Sequence, residues 1–576
     1  MERRALIRRL GAFLTVAFVL AAPTDDLTAQ QGGHGHHHGH AVDAIPGQWR
    51  MPPMPPGMFM LPGIEFEVPR VGAYLPGAGL DPADIPTATP REVVRLQDGD
   101  TLHLDAMLVR RTIGDHEFVG YGFNGQHPGP QIEVDQEATI FVRFTNNSEW
   151  PNGIHWHGGR ILNRFDGVPG LTQEPVYPGE TFVYELRFPD PGLFWYHPHS
   201  RAELTLGLGL FANILVNPID ETHYGTVHRS EVLMLNDLLF DDLGLFPYGL
   251  ESPTHTLMGR FGNVLLVNGE PEHQLEAKRG EAVRFFLTNA SNARTFNLSF
   301  THGEAFKLVA SDVSRFEREQ WIESLVIAPG ERYVIDVLFD LAGETALVND
   351  IQALDHVQGR FFRQVDTLSV VRVSPAAPAT DLADSYRELR SNRAVSEDVA
   401  QFRPLFDKAP DLSLTLSVQP GDLPIPLLNF IQIDTTFYPP VEWNDGMPEM
   451  NWLATGENLH WKLRDDASGL ENMDISWEFD HGEVVKLRIF NDPSAFHPMH
   501  HPIHLHGQRF LVLSMDGVPR TNFVWKDTSI IPTGSTVDLL VEMSNPGIWM
   551  LHCHILEHAE AGMMMTFTVN EPDTED

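Results

Sequence analysis

Cysteine is almost absent: Cys553 is the only one in 576 residues. No internal disulfide can form, so packing or bound metal must hold the fold. Basic charge is scarce as well. Lys and Arg number 40 against 78 Asp and Glu, a formal net charge of −38. That balance excludes nucleic acid and an anionic membrane surface as partners. It suits cationic ligands, and equally a plain solvated acidic surface. Long apolar runs are missing too. The one candidate, Leu10 to Ala22 behind Arg3, Arg4, Arg8 and Arg9, is too short to cross a bilayer comfortably. It reads as an export signal over residues 1–29, cut after Ala22 or Ala29, and the Arg8-Arg9 pair permits a twin-arginine route. The expectation is an exported chain, periplasmic or secreted, with no membrane span once mature. In that compartment an unpaired thiol is oxidised unless it is buried or metal-bound.

What is present starts with residues 30–89, rich in Pro and Gly and carrying His34, His36, His37, His38 and His40, then Met51, Met54, Met58 and Met60. Imidazoles and thioethers suit soft or borderline metals, although a low-complexity tail explains the same composition. From about residue 90 the pattern turns to short β-runs punctuated by Gly, Pro and Asn, with little helical periodicity. One pattern then recurs. Glu133–Asn146 (EVDQEATIFVRFTN) returns as Glu276–Asn289 (EAKRGEAVRFFLTN) and as Glu478–Asn491 (EFDHGEVVKLRIFN). Each is a turn leading into a half-buried strand that ends at Asn. A second echo follows each copy, at Pro178-Gly-Glu, Pro329-Gly-Glu and the looser Pro532-Thr-Gly-Ser. The period is far too long for a solenoid, so the chain is read as all-β, with three tandem two-sheet Greek-key sandwiches at 90–220, 225–375 and 410–572. Residues 376–409 form the linker between the second and third.

The first and third copies share more than strands. Ile154-His155-Trp-His157-Gly158 matches Ile503-His504-Leu-His506-Gly507. Pro191-Gly-Leu-Phe-Trp-Tyr-His197-Pro-His199 matches Pro546-Gly-Ile-Trp-Met-Leu-His552-Cys553-His554 position for position. On a strand, residues two apart share a face, so each His-x-His pair presents both imidazoles together. Cys553 points the other way from His552 and His554, and one strand can serve two metal sites back to back. Eight paired imidazoles are too many for one ion and suit a cluster of three where the first and third sandwiches meet. Cys553, His558 and Met563, with His501 as the second imidazole, make a separate thiolate-bearing donor set. A lone cysteine is otherwise a small core hydrophobe. His497 and His500 offer a competing register and are read as structural. The second copy, with only His302 in a comparable place, reads as a spacer without ligands.

This constellation resembles the multicopper oxidases, the family of laccases, ascorbate oxidase and bacterial cuprous oxidases, over roughly residues 90–572. The resemblance implies three cupredoxin-like domains and four coppers. His501, Cys553 and His558 would bind the type 1 ion with Met563 axial, and His155 and His504 the type 2 ion. His157, His197, His199, His506, His552 and His554 would bind the type 3 pair. It also implies that a phenolic or metal-ion reductant such as Cu(I) delivers single electrons near exposed edges of His501 or His558, and that O2 is reduced to water. Asp166, in Arg164-Phe-Asp166-Gly, stands where the family has a carboxylate near the cluster and is the candidate proton donor; a surface Asp-Gly turn is the plain alternative. Laccase-like members often carry a carboxylate directly after the second type 1 histidine. Here that residue is Ala559, so Glu560 or Glu557 takes the role instead. Two other classes compete. A copper nitrite reductase needs neither the extra His pairs nor a third domain, and a copper-carrying or copper-resistance protein would handle metal without turnover.

Overall fold

The computed structural model describes residues 73–249, 255–355, 360–421, 441–443 and 459–572. The readings made for the export signal and for the His- and Met-rich tracts before residue 73 lie outside them. Among the described residues, no helix is long and apolar enough to cross a membrane.

Three β-sandwiches follow one another. In the first, a five-stranded sheet (Val93–Leu96, Gln131–Asp135, Ala212–Asn217, Gly192–Pro198, Ile154–His157) faces a four-stranded one (His116–Phe123, Thr101–Ile113, Thr139–Asn147, Thr181–Arg187). The second pairs a six-stranded with a five-stranded sheet, and the third a seven-stranded with a five-stranded sheet. Strand Thr139–Asn147 alternates between buried and more exposed residues, as a strand with one face on a core must. Gly192–Pro198 is buried along its whole length, because one face covers its own core and the other meets the neighbouring sandwiches.

The recurring Asn explains the repeat physically. Each one is buried at or one residue before the end of its strand, and its side-chain amide donates to two main-chain carbonyls: Asn146 to Trp150 and Val176, Asn289 to Arg294 and Ile327, Asn491 to Met499 and Ile531. The carbonyl of each accepts from the glycine of the following echo, Gly179 at 2.6 Å, Gly330 at 2.9 Å and Gly534 at 3.0 Å. An orphaned buried amide is costly, so this Asn latches turn to strand three times over. The latch fixes where each Pro-Gly turn lies. In the second sandwich that turn lies against the histidine cluster.

Candidate metal centre

In both outer sandwiches the two His-x-His strands are antiparallel neighbours, with His155 opposite His197 and His504 opposite His552. The register sets both rings of each strand on one face, and the two faces meet. His155 Nε2 of the first sandwich comes within 3.4 Å of His504 Nε2 of the third. The rings sort themselves into groups whose ligand atoms lie close together: His155, His157 and His504; His157, His197 and His554; His199, His506 and His552. All eight are buried except the half-buried His199. A further group, His501, Cys553 and His558, lies on the other face of the Gly547–Cys553 strand.

Hydrogen bonds fix which nitrogen six of the eight rings offer. A carbonyl or carboxylate only accepts, so the ring nitrogen beside it must carry the proton. Nδ1 of His155 donates to Asp166 O (3.0 Å), of His197 to Pro198 O (2.9 Å), of His504 to Asp527 O (2.9 Å), of His506 to Asp166 Oδ2 (2.8 Å) and of His552 to Cys553 O (2.8 Å). These five turn an Nε2 lone pair inward. His157 is reversed: its Nε2 lies 3.1 Å from Asp527 Oδ1, which leaves Nδ1 as the inward atom. Burial, helped by neighbouring rings, pushes the basicity of His157, His197, His199, His506, His552 and His554 well below that of an ordinary imidazole. Neutral rings with lone pairs converging on one space are what a metal ion requires.

The thiolate group is equally enclosed. His501 Nδ1 lies 3.5 Å and His558 Nδ1 3.9 Å from Cys553 Sγ, and the two nitrogens are 3.2 Å apart. Ile555 N donates to the sulfur at 3.3 Å, and Met563, fully buried, is tied in through main-chain bonds to His558 and Cys553. Burial pushes the Cys553 thiol up, so only a bound cation would keep it as thiolate. One expectation is corrected here. His501 and His558 are 1% and 0% exposed, so neither offers an edge to a reductant. Trp461 stacks on His558 at 3.9 Å between centroids, and the Leu257 carbonyl accepts from His558 Nε2. His500 is engaged at both nitrogens, by Thr295 Oγ1 and Glu442 N, and is structural as read.

Of the carboxylates, Asp166 is fully buried and reaches two rings, with Oδ1 3.2 Å from His155 Nδ1 besides the bond to His506. Glu560 lies at the exposed last position of the Leu556–Glu560 helix. Glu557, on the same helix, is buried and receives Asn292 Nδ2 at 3.0 Å, and burial pushes its carboxyl up to about 7. Sequence reasoning missed Asp527, Arg332 and Asn292. Each gains its place only through contacts across domains, and a single sequence gives no signal for these.

The residues fit bound metal. Nδ1 of His157, Nε2 of His197 and both nitrogens of His554 are buried without a hydrogen-bond partner. Each such atom costs about 1–3 kcal/mol if left unmet, and a cation at the convergence of the lone pairs would meet the inward-facing ones.

Comparison with known proteins agrees. Multicopper oxidase family models match residues 109–221 and 445–573. The chain is 25% identical to a multicopper oxidase of Staphylococcus epidermidis, over 77% of this chain and 82% of that protein. It is 26% identical to Laccase-1 of Botryotinia fuckeliana, over 78% of each. Its fold matches that of the McoA multicopper oxidase of Aquifex aeolicus with a TM-score of 0.62 at 24% identity, covering 85% of this chain and all of the other (100%).

Proposed function

The chain belongs to the multicopper oxidase family, and from that premise we propose that it is an exported oxidase drawing single electrons from a small reductant, a phenol or a metal ion such as Cu(I), to reduce O2 to water. The observation that carries this is the pairing of a three-part histidine nest with a separate Cys553 group on the opposite face of the same strand. In this reading His501, Cys553, His558 and Met563 hold the type 1 ion, and His155 and His504 the type 2 ion. One type 3 ion belongs to His157, His197 and His554, the other to His199, His506 and His552. Bound copper supplies the one-electron chemistry and the reduction of O2.

The chain's own residues do the rest. Cys553 is bonded to His552 and His554, so the thiolate group and the nest are joined by one peptide bond on either side. Asp166 accepts from His506 Nδ1 and lies against His155, a carboxylate placed to relay protons beside the nest. Trp461 and the Leu257 carbonyl cover His558, so the reductant passes its electron through protein and not by touching a ligand ring. The domain limits 90–220, 225–375 and 410–572 belong to the same proposal.

Copper-loaded protein tests it. Expected are about four coppers per chain, a strong blue absorption that bleaches on anaerobic reduction and is lost in Cys553→Ser, and oxygen uptake with Cu(I) or with a phenol. Colourless loaded protein, or no oxygen uptake with either donor, would refute the reading.

A further inference from the structure

The second sandwich contributes no residue to any of these ligand groups, yet it touches the nest. Its latched turn lies so close that a Cβ on Gly330 (φ +84°) would stand 2.8 Å from His554 Cδ2 and 3.2 Å from His157 Cε1. Two residues further on is Arg332, 1% exposed. Its guanidinium donates through both prongs to Asp527, Nη1 to Oδ1 and Nη2 to Oδ2, each at 2.6 Å. Its Nε reaches Leu193 O at 3.2 Å. One side chain thus joins all three sandwiches. Gly158, directly after His157, keeps the space open: its φ is +83°, and a Cβ there would lie 2.6 Å from Asp527 Oδ2.

Asp527 is the carboxylate that reverses His157. Its Oδ1 receives His157 Nε2 at 3.1 Å and Thr528 Oγ1 at 2.8 Å, while its main-chain oxygen receives His504 Nδ1 at 2.9 Å. A fork of two parallel bonds fixes the carboxylate plane as well as its charge.

We propose that Arg332, from the domain without ligands, is a positioning residue for the three-metal nest: by orienting Asp527 it makes His157 present Nδ1 and steadies His504 with its Nε2 inward. The proposal rests on the oxidase reading above. Partners that orient a metal ligand in this way are worth about 10- to 100-fold in metal affinity.

The test compares copper-loaded parent, Arg332→Lys and the double variant Arg332→Met/Asp527→Asn. Lysine keeps the charge without the fork. The double variant removes both charges and leaves no unpaired ion to disrupt folding. Both variants are expected to keep the blue absorbance of the type 1 ion. Both should show a shifted type 2 EPR hyperfine splitting and about tenfold or more weaker copper retention in the nest against a chelator. Either variant folding with the parent's EPR signal and copper retention would overturn the proposal. A parent protein without blue colour or type 2 signal would instead sink the oxidase reading itself.

Discussion

Asp166 shows how much one side chain can be asked to do. It is fully buried, its Oδ2 takes His506 Nδ1 at 2.8 Å, and its main-chain oxygen takes His155 Nδ1 at 3.0 Å. The main-chain bond survives any substitution, and asparagine still offers an acceptor oxygen to His506. Only the capacity to carry a proton is lost. Asp166→Asn is therefore expected to bind copper and show the parent's blue band, with oxygen turnover lower by about 100-fold, the usual worth of a placed proton donor. Steady-state oxygen uptake at matched copper content checks this, and turnover equal to the parent's would remove Asp166 from the proton route. Glu560 ends its helix as an exposed residue, yet burial of its carboxyl group and the neighbouring Glu203 push it up to about 8, and Glu557 is buried, so both stand as further candidates for the route.

At the scale of the element, the unit that repeats is a strand, an Asn latch and a Pro-Gly turn, and its three copies have different surroundings. Gly179 and Gly534 meet nothing closer than 3.6 Å where a Cβ would go, while Gly330 faces the rings of His554 and His157. Gly330→Ala must both strain a left-handed backbone and displace a ligand ring, so it is expected to cost about 1–3 kcal/mol and to weaken copper retention. Gly179→Ala meets only the backbone strain, and thermal melts of the two copper-loaded variants make the comparison. Equal behaviour would mean that the turn does not press on the nest. The repeat was legible because an Asn-ended strand and a Pro-Gly turn are local patterns, and the His-x-His pairs because the strand period of two is local as well. The partition of eight rings into groups, and the reversal of His157 among them, were not. They depend on Asp527 and Arg332, which are 195 positions apart in the chain and meet only after three domains have packed. The burial of His501 and His558 went unread for a similar reason. Their cover comes from Leu257, in the second sandwich, and from Trp461, on a strand paired far from the ligand motifs.

In the whole molecule, the first and third sandwiches meet through imidazoles whose inward nitrogens point at one another, as at His155 Nε2 and His504 Nε2, 3.4 Å apart. Without a cation, that arrangement is repulsive and leaves buried nitrogens unmet. The rigid frame around it, in which Arg332 ties the second sandwich to Asp527 in the third and to Leu193 in the first, keeps the rings in place but does not remove the conflict. Metal should therefore act as a clasp between domains as well as a redox centre. A site held at about 1,000 times its dissociation constant adds about 4 kcal/mol to the folded state. Filling the nest should then raise the melting temperature by several degrees even in a large protein. Chelated protein is expected to melt lower by that margin and to be cut faster by protease between the second and third sandwiches, with both effects reversed on adding copper. Calorimetry on the two forms decides it. Coincident melts would mean that the interface holds together by packing alone and that the converging lone pairs are accommodated in some other way.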